Sequence, residues 1–152
     1  MPLQIYGFLI DHCIYIDIKK GCIFRLESEN SSSTSPLGFL YLNDTMMSLF
    51  SYLLIHARAR FVTKEEVLKN VWDENNLSSS GTRLWQVFTS LKNKLSLLNL
   101  PDGLIRYEKR KGFFIEHENI LTIYYKESDL NFLPGITALK PRRSSVFVPI
   151  QL

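Results

Sequence analysis

The chain has 152 residues, 45% of them hydrophobic and 12% aromatic, which supplies a packed core and excludes global disorder. A domain of about 100–120 residues folds without disulfides or metal, so one domain plus a tail is expected. Net charge is +3 but unevenly spread: residues 82–111 hold seven basic and two acidic side chains, net +5, against 11 basic and 13 acidic, net −2, elsewhere. A basic patch on a mildly acidic body marks a polyanion binder, although charge alone fits a solvated face equally well.

The first residues, MPLQIYGFLIDHCIYIDI, lack the basic start and cleavage site of a signal peptide. No apolar run approaches the roughly 18–20 residues that span a bilayer. A soluble cytoplasmic protein is therefore the expectation. Residues 5–10 and 13–18 are rich in β-branched and aromatic side chains and read as strands. Lys19-Lys20-Gly21 reads as a turn and 22–26 as another strand. Cys13 then lies several residues beyond the position opposite Cys22, too far for a disulfide, and both read as buried free thiols. A polar loop over 27–36 leads to a further short strand at 39–42.

Helix one is expected from Asn43 or Asp44, either of which can cap it. Met46, Leu49, Phe50, Leu53, Leu54 and Ala57 form one apolar stripe with a 3.6-residue period, read as core. Thr63-Lys64-Glu65-Glu66 is a capping box, with Glu66 expected to reach back, and Val67, Leu68, Val71 and Trp72 give helix two its apolar face. Helix three is expected from near Ser79, Ser80 or Gly81 to about Leu98, burying Leu84, Val87, Phe88, Leu91, Leu95 and Leu98. After the turn at 99–103, strands at 104–107 and 113–116 flank Glu108-Lys109-Arg110-Lys111-Gly112, a hairpin with a basic tip. Residues 120–125 have the composition of one more strand, and 133–152 carry three prolines without periodicity and read as a tail.

Strands, a helix, a second helix, a long third helix and a basic hairpin in this order predict an α+β fold. It is a winged helix-turn-helix with an N-terminal antiparallel sheet, three helices and a C-terminal β-hairpin wing. The domain is placed at 1–118, with the sheet in 4–42, the helices in about 44–98 and the wing in 104–116; 119–152 is assigned to a C-terminal extension. At 100° per residue, Thr82, Gln86, Thr89, Ser90 and Asn93 fall opposite Leu84, with Arg83, Lys92 and Lys94 on the flanks. No acidic residue lies between Arg83 and Leu100. Gln and Asn bond adenine edges, Ser and Thr bond several bases, and Lys and Arg neutralise phosphate, so this face suits a major groove. Lys109, Arg110 and Lys111 at the hairpin tip repel one another, and a phosphate backbone would relieve that. Trp85, at the edge of helix three, reads as packing against a neighbouring element.

From about Phe39 to Ile115, and more loosely from Ile5, the chain resembles the effector domain of the OmpR/PhoB regulators, most of all the ToxR/CadC branch without a receiver domain. The resemblance covers roughly three quarters of the chain. It rests on Leu40-Tyr41-Leu42 leading into residues 46–54, on residues 61–72 ending at Trp72, on residues 87–95, and on Ile105-Arg106-Tyr107 with Arg110-Lys111-Gly112-Phe113. It implies a transcriptional regulator whose third helix reads the major groove through Gln86, Ser90, Asn93 and Lys94. Arg110 and Lys111 would lie on the minor groove, and the loop Glu74, Asn75, Asn76, Leu77 and Ser78 would touch RNA polymerase. Self-association on tandem or paired half-sites is a further implied partnership. Departures are Asn93 at a position that is often basic, Phe113 for the usual tyrosine, and Tyr107 where threonine is common.

Two other classes are weighed against this. A winged-helix module that binds protein keeps the fold, but the basic wing and acid-free helix three argue against it. An enzyme finds no nucleophile elbow, phosphate-binding loop or carboxylate pair. The scattered His12, His56 and His117 make no metal spacing with the cysteines, and no cofactor or small-molecule substrate is expected. The sequence leaves open a stand-alone regulator or the cytoplasmic fragment of a membrane-anchored one.

Overall fold

A computed structural model of the chain describes residues 3–26, 38–72 and 80–126. Its elements run β1 (Gln4–Ile10), β2 (Ile14–Asp17), β3 (Cys22–Arg25), β4 (Phe39–Tyr41), α1 (Asp44–His56), α2 (Lys64–Val67) continued by a π-helical segment (Leu68–Trp72), α3 (Gly81–Leu97), β5 (Ile105–Glu108), β6 (Gly112–Ile115) and β7 (Ile120–Tyr125). The fold is α+β, with an antiparallel sheet, three helices and a hairpin wing among the described residues.

Strand alternation gives the first sheet two different faces. Phe8, Ile16, Ile23 and Leu40 are in register across β1 to β4 and point to the core, the first three fully buried. Leu9, Tyr15, Phe24 and Phe39 form the neighbouring row on the other face, extended by Leu121 of β7. That row is aromatic: Phe24 and Phe39 lie 5.1 Å apart and Tyr15 stacks on Phe24 at 6.0 Å. The register also explains the thiols. Cys22 is opposite Asp17, four residues from Cys13, so both cysteines are free. Cys22 is buried, whereas Cys13 is only half-buried, short of the full burial expected of it.

One boundary moves. The sheet has five strands in the order β4-β3-β2-β1-β7, so a strand from the stretch assigned to the extension completes it. β7 pairs antiparallel with β1, Leu9 opposite Leu121, and buries Ile120 and Tyr125. Arg58, just after α1, donates to the Ile120 carbonyl at 2.9 Å, and the Asp11 amide to that of Asn119 at 2.9 Å. The folded unit therefore continues past 118 through β7, because β1 has an unpaired edge that a strand of this composition satisfies.

The helices form where the sequence caps them. Asn43 accepts from the Met46 amide at 2.8 Å and opens α1, whose stripe from Met46 to Ala57 is buried, with α3, β6 and the π-helical segment as neighbours of the helix. Thr63 accepts from the Glu66 amide at 3.1 Å and opens α2. The return half of that capping box is absent: the Glu66 carboxylate faces Arg60, at 2.6 and 2.9 Å, and accepts from the Tyr52 hydroxyl at 2.8 Å. A charged partner and a hydroxyl outcompete one backbone amide. The helix then widens. Asn70 donates its side-chain amide to the Glu66 carbonyl at 2.9 Å, the acceptor its own backbone N–H would take in an α-helix. Val67, Val71 and Trp72 still reach the core, Trp72 with 1% exposure.

Candidate nucleic-acid interface

The third helix is held at both ends. Ser80 accepts from the Arg83 amide at 3.0 Å at the N-terminus. At the C-terminus Arg25 of β3 donates to the Leu98 carbonyl, placing a cation where the helix dipole is negative. Leu84, Val87, Phe88, Leu91 and Leu95 bury one side of α3. Thr82, Arg83, Gln86, Thr89, Ser90, Lys92 and Asn93 are all exposed on the other, as their angular positions require. Thr82, Trp85, Gln86, Thr89 and Ser90 line an open hollow on this outer side. Lys94 stands apart: it is half-buried, and its ammonium donates to the Tyr41 carbonyl of β4 at 3.0 Å.

The hairpin is welded to α3 by rings. Trp85 meets Tyr107 edge-on at 4.6 Å, and Phe113 lies 5.0 Å from Phe88 and 4.9 Å from Tyr107. Trp85 therefore packs on a neighbouring element, as its sequence position led us to expect. The cluster also accounts for the size of Tyr107: its ring closes against the Trp85 indole. A second seam joins the hairpin to the stretch before α2. Val62 and Phe113 exchange backbone hydrogen bonds at 2.8 and 2.9 Å, and the Ile115 amide donates to Ala57 at 2.9 Å.

This seam dictates the glycine at the hairpin turn. Gly112 has φ +115°, and a Cβ there would sit 2.2 Å from the Val62 carbonyl oxygen. Arg110, two positions earlier, has φ 73°. Lys109, Arg110 and Lys111 are exposed at the tip. Glu108 is shared between Lys111 at 3.4 Å and Arg106 at 3.9 Å, and Arg106 also pairs with Glu116. Lys111 further lies 5.5 Å over the Phe61 ring. Among the described residues, Lys109, Arg110, Arg83 and Lys92 enter no ion pair; Lys92 rests 5.5 Å over the Phe88 ring. The tip is thus less crowded by its own charge than the sequence suggests, since only two of its three cations are without a local anion.

The loop Glu74 to Ser78 lies outside the described residues. Among those described, no three His, Cys, Asp or Glu side chains come together as a metal site would need, and no helix is long and apolar enough to cross a membrane. Sequence reasoning missed Arg25 as the clamp on α3. An arginine in a strand pattern gives no signal of which carbonyl lies above it. It also missed the Tyr107–Trp85 contact, which joins residues 22 positions apart.

No protein-family model matches the sequence, and no curated protein matches it either. In structure the chain is similar to the DNA-binding domain of E. coli CadC, with a TM-score of 0.59 at 14% identity. The match covers 80% of this chain and 99% of that domain. At that identity the likeness concerns the fold, a winged helix.

Proposed function

We propose that this chain is a DNA-binding transcriptional regulator that lays α3 in the major groove and its hairpin on the neighbouring backbone and minor groove. The observation that carries the reading is the exposed side of α3: a run of hydrogen-bonding side chains, free of acid and flanked by cations that form no ion pair among the described residues, beside a basic hairpin tip. The structural neighbour adds weight, since its title describes it as a DNA-binding domain. In this reading Thr82, Gln86, Thr89, Ser90 and Asn93 meet base edges. Gln86 and Asn93 are two helical turns apart, about 10 Å along the axis, or roughly three base-pair steps. Arg83, Lys92, Lys109, Arg110 and Lys111 contact phosphate, joined by the protons of Lys94 that Tyr41 does not use. Contact of Glu74 to Ser78 with RNA polymerase and pairing of domains on tandem half-sites belong to the same proposal, as does action in the cytoplasm of a bacterium.

The test is a gel-shift titration at several salt concentrations. Binding that weakens steeply with rising salt, and a flatter slope when Lys109, Arg110 and Lys111 are changed together to alanine, supports the reading. Affinity that ignores salt favours a protein-binding winged helix. Gln86→Ala or Asn93→Ala should lose about 1–3 kcal/mol of preference for a selected site and leave binding to random duplex nearly intact.

A further inference from the structure

The hollow lined by Thr82, Trp85, Gln86, Thr89 and Ser90 contains no charged side chain, although cations lie on both sides of it. With no cation inside, the hollow can offer a phosphate hydrogen bonds but no neutralising charge. We propose that the hollow is a thymine pocket: it receives the 5-methyl group of a thymine in the major groove, with an adenine beside it read by Gln86. This rests on the reading of α3 as the major-groove helix and names the base step it selects.

Trp85 provides the apolar wall. Its ring is held by Tyr107 edge-on at 4.6 Å, by Phe88 at 5.8 Å and by Phe113 at 6.0 Å, contacts that each favour its present position. It is only half-buried, which leaves indole surface in water until a partner covers it. Thr82 and Thr89 stand three residues before and four after it, on the same side of the helix, and each brings a methyl group and a hydroxyl. The major-groove edges decide among bases. Only thymine presents a methyl group next to an acceptor oxygen; cytosine offers an amino donor, and guanine offers two acceptors that suit arginine. The hydroxyls of Thr82, Thr89 and Ser90 can donate to thymine O4 while the methyl group covers the indole. The Gln86 amide matches the adenine donor–acceptor pair.

The experiment separates this proposal from its parent. The full chain is used to select duplexes from a random-sequence pool, and each thymine of a selected site is then replaced singly by deoxyuridine, which keeps O4 and the base pair and lacks only the methyl group. The expected result is one thymine per bound domain at which affinity falls about fourfold, the worth of one buried methyl. Thr89→Ser, which keeps the hydroxyl, and Trp85→Leu should each shrink that ratio toward one; melting curves establish that both variants fold. A selected site indifferent to every deoxyuridine overturns the thymine pocket and leaves DNA reading intact. A ratio unchanged in both variants places the methyl contact elsewhere and overturns it too. Failure to select any duplex removes the parent reading along with it.

Discussion

Glu66 and Gly112 show how single positions are fixed by partners distant in sequence. The Arg60 guanidinium holds the Glu66 carboxyl down at about 2 from an ordinary 4.5, with the Tyr52 hydroxyl helping and partial burial opposing. A carboxyl depressed in the folded state stabilises above its unfolded value, and that stability is lost as pH falls from about 4.5 toward 2. Glu66→Gln should therefore flatten the acid limb of the melting temperature over that window; an unchanged limb in the variant would show that the Arg60 pairing contributes nothing. Gly112 cannot be replaced for two independent reasons, its φ and the approach of Val62. The conformation alone costs about 1–3 kcal/mol for another residue, and the carbonyl contact adds to it. Gly112→Ala should loosen the hairpin, seen as faster amide exchange at Val62 and Phe113, while α1 keeps its protection.

Among elements, the π-helical segment and the ring cluster matter most for placing α3. Asn70 occupies the Glu66 carbonyl and widens the turn, and Trp72 ends the segment with 1% exposure. Trp72→Ala should cost about 3–5 kcal/mol by urea titration, the range for an aromatic side chain lost from a close-packed site. A variant that melts like the parent would mean the helix re-seats without it. The hairpin depends on rings rather than on hydrogen bonds to α3. Trp85, Phe88, Tyr107 and Phe113 bind it to the helix through contacts of 4.6 to 6.0 Å. The basic tip is thereby carried on a fixed arm, so the spacing between the α3 face and the tip is set before any partner arrives.

At the scale of the whole molecule, β7 joins the two ends of the described fold. It covers the β1 edge, and His117, just before it, lies 2.8 Å from Asp11 at the end of β1. A chain ending after Glu118 should lose cooperative unfolding and expose the β1 edge, whereas one ending after Lys126 keeps β7 and should unfold cooperatively. Equal melting of the two would assign β7 no part in stability. The outer sheet face keeps its row of Leu121, Leu9, Tyr15, Phe24 and Phe39, so removing β7 strips that row of one member as well as the core of Ile120 and Tyr125.

Element type and the face of α3 were legible in the residues themselves. Both depend on period and caps: Asn43, Thr63 and Ser80 each accept a hydrogen bond three residues ahead, and the stripe from Leu84 to Leu95 determines which side chains remain outside. Those are local interactions, within reach of a few neighbouring residues. Pairing between distant segments was not legible, because nothing local distinguishes one competent partner from another. Residues 120–125 read as a strand, but only the free edge of β1 made them the fifth strand of the sheet. Glu66 carried the signature of a capping box, yet Arg60 and Tyr52 came close enough to claim its carboxylate. Lys94 looked like one more outward cation until β4 presented the Tyr41 carbonyl to it. Each of these was decided by packing the sheet, the helices and the hairpin together, which brings competing donors, acceptors and edges within bonding distance only in the folded chain.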